Sequence, residues 1–176
     1  DVMVLSTDTL IYGGLVDSRK HNIPLSTLQN RLKRIEGLKA RNKNVRIYGF
    51  GTVMRSPRAS GGGTEPAYYA EYGPTIFQIA ALQDKLDSGS LTQEETQKLM
   101  SLQASVPVEY LQDWFDRRQK NMKINKELID ETRSGVFDYF ALGHDDTSQL
   151  SQSALEGRYL NKYSKDISVE KYGSFP

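Results

Sequence analysis

The sequence predicts an α/β fold in which a parallel sheet is built from alternating strands and helices. Apolar runs of strand length lie at residues 2–6, 45–50 and 136–142, and helical patterns occupy the stretches between and after them. Strands that alternate with helices favour parallel pairing through right-handed crossovers, and extra helices follow the second strand. Three strands fit part of a doubly wound sheet or part of a (β/α)-barrel. We expect residues 1–176 to form a single domain or lobe.

Composition excludes several classes of protein. Lys and Arg number 23 against 22 Asp and Glu, and the net charge of +1 gives no general field for a polyanion, so we expect no nucleic-acid partner. The chain has no cysteine, which excludes disulfides, thiolate metal sites and a cysteine nucleophile. No apolar run approaches the roughly 20 residues that a membrane helix needs, so we expect no membrane span.

The first half of the chain predicts two strands around one helix. The run at 2–6 is continuously apolar, which is typical of a buried parallel strand. A connection with a hinge at Gly13-Gly14 follows it. An amphipathic helix is predicted over residues 25–38, where leucine and isoleucine recur every three or four positions, and Ser26 with Gln29 matches a capping box.

Residues 56–75 lack any periodicity because they contain three prolines and the run Gly61-Gly62-Gly63. The glycines lack the Lys-Ser/Thr of a phosphate-binding loop and the spacing of a dinucleotide fingerprint. Tyrosines such as Tyr68 could stack on a sugar and close over a site, so this loop is a candidate lid. The same tyrosines could equally pack the loop down.

The remaining residues predict four helices and one strand. Thr92 and Glu95 match a second capping box, and Gly135 suits the end of the longest helix. The predicted ranges are a helix over 75–86, a helix from 92, a helix over 107–135, a strand over 136–142 and a helix over 148–163.

Ionisable side chains follow each of the three predicted strands. Asp8 comes after the first strand, Arg55 after the second, and His144, Asp145 and Asp146 after the third. The carboxyl ends of parallel strands meet at one edge of a sheet, where ligands bind in open sheets and barrels alike. The sequence therefore predicts a site at this edge.

Three aspartates, Asp8, Asp145 and Asp146, are the candidate catalytic residues. Paired carboxylates carry out glycoside hydrolysis, and clustered carboxylates can instead bind a hard divalent cation such as Mg²⁺ or Ca²⁺. The structural alternative is that one of the adjacent pair caps the following helix and that Asp8 caps a turn.

Arg19 and Arg55 are candidate substrate contacts, because a planar guanidinium group matches carboxylates and phosphates. The alternative is a salt bridge to one of the aspartates, and both roles can hold together. His144 could act as a general base or metal ligand or simply be exposed, whereas His21 is predicted to be solvated. The basic helix face at 31–43 is also predicted to be solvated.

Five segments together resemble an uncharacterised bacterial family, the domain of unknown function DUF4127. They are, in chain order, Asp8-Thr-Leu-Ile-Tyr12-Gly-Gly-Leu-Val-Asp-Ser18-Arg19, Val53-Met-Arg55, Glu65-Pro-Ala-Tyr68, Arg117-Arg118-Gln-Lys-Asn121 and Leu142-Gly-His-Asp145-Asp146-Thr147. The resemblance implies no assigned activity. It implies that the chain is a fragment of a longer member, and it places Tyr12, Glu65 and Tyr68 beside the arginines as candidate substrate-binding residues.

These observations predict an enzyme, most plausibly a hydrolase, that acts on a polar substrate such as a carbohydrate derivative at the carboxyl ends of the strands. One alternative is a non-catalytic domain that binds a sugar or a phosphorylated metabolite. A third is that the aspartates and arginines only form internal ion pairs. We expect a small polar ligand, and we expect the remainder of a longer parent chain to pack against this piece. The sequence predicts no localisation.

Overall fold

The computed structural model describes residues 1–59 and 62–166, which contain three strands and seven helices. In chain order they are β1 (Val2–Ser6), α1 (Thr7–Tyr12), α2 (Leu15–Lys20), α3 (Leu25–Arg41), β2 (Arg46–Val53), α4 (Tyr69–Ser88), α5 (Gln93–Ser105), α6 (Val108–Arg133), β3 (Tyr139–His144) and α7 (Gln152–Asp166). The predicted α/β class and the extra helices after the second strand are confirmed.

The three strands form an open parallel sheet in the order β1-β2-β3. Ser6 is level with Phe50, and Val53 is level with His144, so all three strands end at the same edge. The chain therefore leaves the sheet on this edge three times, at the positions where the sequence places its ionisable side chains.

The helices that contact the sheet bury one of its faces. Ile47 is fully buried in a cluster with Leu28 of α3 and with Ile124 and Leu128 of α6. Because side chains alternate along a strand, the neighbouring residues of β1 and β2 point to the opposite face.

The sequence predicts that β1 is buried. This prediction is wrong for the face of β1 that points away from α3 and α6. Val2, Val4 and Phe50 are 50%, 66% and 46% exposed. Parallel strands read as continuous apolar runs when both faces are covered, but within the described residues only one face of β1 is covered.

The connection after β1 contains two short helices that the sequence did not reveal. The Ser6 side chain caps α1 by accepting a hydrogen bond from the amide of Thr9 at 3.4 Å. Gly13 ends α1 with φ = 109°, a left-handed conformation that favours glycine, and α2 starts two residues later. The predicted hinge at Gly13-Gly14 is thus a break between helices.

Helix α4 starts six residues before its predicted start, inside the predicted loop. Tyr69 is fully buried and stacks on Trp114 with ring centroids 6.5 Å apart, and this packing outweighs the helix-breaking effect of Pro74. Residues 60 and 61 of the predicted loop, like residues 167–176, lie outside the described residues.

The capping predictions had mixed outcomes. Thr92 and Glu95 form the predicted box at the start of α5, with both hydrogen bonds present. The box at Ser26 and Gln29 is wrong, because α3 begins after Pro24 without a side-chain cap. The proline already fixes the backbone for the first turn of α3.

Helix α6 links three apolar clusters. It contributes Ile124 and Leu128 to the cluster under the sheet, Trp114 to the cluster with α4 and α5, and Ile129 to the cluster with β2 and α7. No helix in the described part of the chain is long and apolar enough to cross a membrane.

We predict that Gly49→Ala destabilises the protein. A methyl group at position 49 would lie 2.6 Å from the ring of Phe137 and 2.7 Å from that of Phe140, so the aromatic core must shift. Overpacking of this kind costs about 1–3 kcal/mol, measurable as a lower urea midpoint. Gly143→Ala is the matched control, because position 143 has no atom within 4 Å of the added methyl group. Equal midpoints for the two variants would contradict the packing described.

Candidate functional site

Asp8 lies at the carboxyl end of β1, on the first turn of α1, and is 6% exposed. The Thr52 hydroxyl donates a hydrogen bond to its carboxylate at 2.9 Å. The neighbouring Thr7 hydroxyl donates to the carbonyl of Phe50 at 3.0 Å. These two bonds attach the start of α1 to β2 and fix the position of the Asp8 carboxyl group.

The environment of Asp8 favours its protonated form. The pKa of Asp8 is raised to about 6: burial is the main cause and the charge of Asp145 adds to it, whereas hydrogen bonding from Thr52 and the charge of Arg19 act in the opposite direction. Among the described residues no cation forms an ion pair with Asp8. A buried carboxyl group of this kind can exchange a proton near neutral pH.

Two buried hydrogen-bond donors near Asp8 have no partner in the described part of the chain. They are the Tyr12 hydroxyl, one helical turn from Asp8, and Nε of Arg19. The Tyr12 ring stacks on His21 with centroids 5.1 Å apart, and burial together with the charge of Asp8 raises the pKa of Tyr12. Buried donors normally have partners, so these two groups are unused hydrogen-bonding capacity among the described residues.

Arg19 connects α2 to the segment after β3. Its guanidinium group, 5% exposed, forms an ion pair with Asp145 and lies 3.7 Å from the carboxylate of Glu65. The salt bridge proposed as the structural alternative for Arg19 is therefore present.

Arg55 pairs with Glu65 and not with an aspartate. Its Nε donates to Glu65 Oε1 at 2.8 Å, and its terminal nitrogen donates to the Thr64 hydroxyl at 2.6 Å. The side chain of Glu65 is only 3% exposed, so the two arginines hold it in a buried position. Burial nevertheless raises the pKa of Glu65, an effect that the two arginines oppose.

The carboxylate of Asp146 accepts hydrogen bonds from two backbone amides. One of its oxygens accepts a hydrogen bond from the amide of Ser56 at 2.6 Å, and the other accepts one from the amide of Ser148 at 3.0 Å. The helix that follows is capped elsewhere, since the Ser151 hydroxyl accepts from the amide of Ala154 at 3.0 Å. Asp146 therefore ties the segment after β3 to the segment after β2.

The three aspartates do not form the metal site that the sequence suggested. Among residues 1–59 and 62–166 there is no group of three or more histidine, aspartate or glutamate side chains arranged to hold a metal ion. Asp145 is paired with Arg19, and the carboxylate oxygens of Asp146 accept hydrogen bonds from backbone amides. Asp8 therefore has different hydrogen-bond and ion-pair partners from the other two, although the charge of Asp145 acts on it.

The described part of the candidate lid packs against the helices. Tyr68 donates a hydrogen bond to Asp113 of α6 at 2.6 Å, and its ring stacks on Tyr110. The Lys20 ammonium group donates to the carbonyl of Gly63 at 2.8 Å. Tyr68 accordingly contacts α6, and the lid role of 56–75 stays a prediction.

A stripe of buried polar residues on α6, to which the sequence assigns no role, supports the site structurally. The Arg118 side chain, 1% exposed, donates to Glu156 at 2.7 Å and to the carbonyls of Met54 and Arg55 at 2.7 and 2.8 Å. Arg118 and Asn121 share the helix stripe of Trp114, and polar residues at core spacing were the signal that could have revealed them.

His21 is buried, and the prediction that it is solvated is wrong. One ring nitrogen lies 2.7 Å from Asn121 Oδ1, and the other accepts a hydrogen bond from the amide of Ile23 at 3.2 Å. Burial lowers the pKa of His21. The flanking polar residues concealed this position, because its partner is 100 residues away in the sequence. His144, in contrast, is exposed.

Comparison with known proteins identifies one family. A family model described as "Protein of unknown function (DUF4127)" matches residues 1–176. No curated protein and no solved structure matches the chain.

The stability contribution of Asp8 should depend on pH between about 4 and 6. Its pKa is raised on folding from 3.8 to about 6, so the folded state favours the protonated form, and this contribution is lost as pH rises through that window. Asp8→Asn cannot ionise, so its stability relative to the wild type should improve from pH 4 to 6 in urea unfolding.

Thr52→Val provides an independent check on the same group. Without the Thr52 hydrogen bond, the pKa of Asp8 should rise further when followed by NMR titration. A wild-type pKa near 3.8, or a flat difference between the wild type and Asp8→Asn across the pH window, would contradict this account.

We expect Arg118→Met to cost about 3–5 kcal/mol in unfolding free energy, because it leaves the carboxylate of Glu156 buried without its cation. The double variant Arg118→Met, Glu156→Leu removes both charges and should recover most of that loss. If the double variant is less stable than the single one, the buried pair is not the origin of the effect.

Proposed function

We propose that this chain, which belongs to the DUF4127 family, is a hydrolase acting on a small polar substrate derived from a carbohydrate. The observation that carries the proposal is Asp8: a buried carboxyl group with a pKa of about 6, without a cation partner in the described residues, at the edge where all three strands end. A proton-exchanging group is most effective when its pKa lies near the working pH.

Hydrolysis at this edge would use the two aspartates in different roles. Asp8 gives its proton to the leaving oxygen of the substrate as the carbon–oxygen bond breaks. Asp145 accepts a proton from the attacking water as the new carbon–oxygen bond forms. Tyr12 and Arg19 donate hydrogen bonds to substrate oxygens through their unpartnered groups, and Arg19 with Arg55 holds an anionic group.

Non-catalytic binding is the second candidate function. It is favoured by the ion pair between Asp145 and Arg19, because a carboxylate held by a cation is a weak base. The unpartnered hydroxyl of Tyr12 and Nε of Arg19 serve binding as well as they serve catalysis. The same small polar ligand would then be held without being cleaved.

We also propose that the sheet is part of a larger one, either doubly wound or closed as a (β/α)-barrel. The support is the exposed apolar face that carries Val2, Val4 and Phe50, together with the edges of β1 and β3, which pair with no further strand among the described residues. Parallel sheets are normally covered on both faces. In this proposal the rest of a longer parent chain packs on that face.

The test of function is thermal unfolding of the protein with neutral sugars, sugar acids and sugar phosphates, followed by turnover assays on glycosides of whichever sugar binds. A compound present at 100 times its dissociation constant adds about 2.7 kcal/mol to stability. We expect Asp8→Asn to lose turnover and to retain the thermal shift. Asp116→Asn, which changes an exposed carboxylate on α6, should retain both.

The two candidate functions give different outcomes in this test. A thermal shift without turnover by the wild type would support the binding domain. The absence of any shift across the panel would contradict both proposals and leave the ion pairs as purely structural.

A further inference from the structure

Glu65 occupies a position suited to a carboxylate from outside the protein. Its Oε1 accepts a hydrogen bond from Arg55 at 2.8 Å and lies 3.7 Å from a terminal nitrogen of Arg19, so both guanidinium groups converge on one oxygen. These arginines come from α2 and from the chain after β2, whereas Glu65 comes from the connection to α4. Arg19 and Arg55 thus belong to the candidate site at the strand ends, whereas the carboxylate that they bind comes from a separate segment of the chain.

The candidate site at the strand ends retains unused capacity for hydrogen bonds among the described residues. Nε of Arg19 and the hydroxyl of Tyr12 are buried donors without partners among the described residues. A single carboxylate from Glu65 does not satisfy them. A sugar acid brings a carboxylate and several hydroxyl groups together, and its hydroxyl oxygens could accept hydrogen bonds from both donors.

Polar contacts attach the segment that carries Glu65 to α2 and to the chain after β2. Gly62 and Gly63 have φ of 54° and 75°, and an added methyl group at either would meet no atom within 4 Å. Two of the polar contacts run from the Lys20 ammonium group to the carbonyl of Gly63 and from Arg55 to the Thr64 hydroxyl. Glu65 belongs to none of the three apolar clusters, so withdrawal of its side chain removes no member of them.

We propose that Glu65 is an internal substitute for the carboxylate of a sugar acid, and that it must leave Arg19 and Arg55 before that carboxylate can bind. This inference rests on the proposed site at the strand ends and specifies the substrate class. Molecules in which Glu65 occupies the arginines cannot bind the sugar acid. The apparent association constant of the wild type is therefore the intrinsic constant multiplied by the fraction of molecules in which Glu65 has withdrawn.

The test is calorimetric binding of glucuronate, with glucose and glucose 6-phosphate as comparisons. Glu65→Gln keeps the side-chain shape and removes the charge, and we expect it to bind glucuronate at least about tenfold more tightly than the wild type. Its affinity for glucose should not change. Glu71→Gln, an exposed carboxylate on α4, is the matched control and should behave as the wild type. Arg55→Met should weaken glucuronate binding in both the wild-type and the Glu65→Gln backgrounds.

The remaining outcomes overturn the inference. Equal or weaker glucuronate binding by Glu65→Gln, no glucuronate binding by any variant, or a gain for glucose 6-phosphate alone would each do so. Urea unfolding verifies that Glu65→Gln is folded. If that variant does not fold, Glu65→Asp takes its place in the test; it shortens the side chain and should show a smaller gain in glucuronate affinity. If glucuronate affinity rises as expected but no glycoside is cleaved, the inference holds and the hydrolase proposal falls.

Discussion

The arrangement of the site depends on the hydrogen bonds of the buried guanidinium group of Arg118. It bonds to Glu156 on α7 and to the carbonyls of Met54 and Arg55 where the chain leaves β2, and it lies over the ring of Trp114. One side chain of α6 therefore connects a second helix, an aromatic cluster and a strand end. The hydrogen bond from Arg118 to the carbonyl of Arg55 fixes the backbone at that residue, and the side chain of Arg55 extends from there to Glu65.

The balance of charges at the strand ends explains why the pKa of the Asp8 carboxyl group is raised. Asp8, Asp145 and Glu65 lie in the field of two guanidinium groups, those of Arg19 and Arg55. Asp145 and Glu65 pair with these groups, whereas Asp8 accepts hydrogen bonds from Thr52, which is a neutral residue. Desolvation without a cationic partner disfavours the charged form, and the raised pKa of Asp8 results from this unequal distribution.

The parts of the fold that could be predicted from sequence were those encoded by short-range patterns. Alternating strands and helices, and the capping box at Thr92, depend on residues within a few positions of one another. The edge at which Asp8, Arg55 and Asp145 meet followed from parallel topology. The partners of individual side chains could not be predicted. The pairing of Arg55 with Glu65 forms within an aperiodic stretch that has no pattern to interpret, and the burial of His21 depends on Asn121, 100 residues away in the sequence.

The sharing of α6 among three apolar clusters has a consequence for cooperativity. Its 26 residues supply side chains to the core under the sheet, to the core with α4 and α5, and to the core with α7. Local opening of any one of these regions removes packing from the same helix, so partial unfolding in one region weakens the other two. The central backbone amides of α6 should be the slowest in the domain to exchange with solvent, and the strand-end groups that it braces are lost together with it.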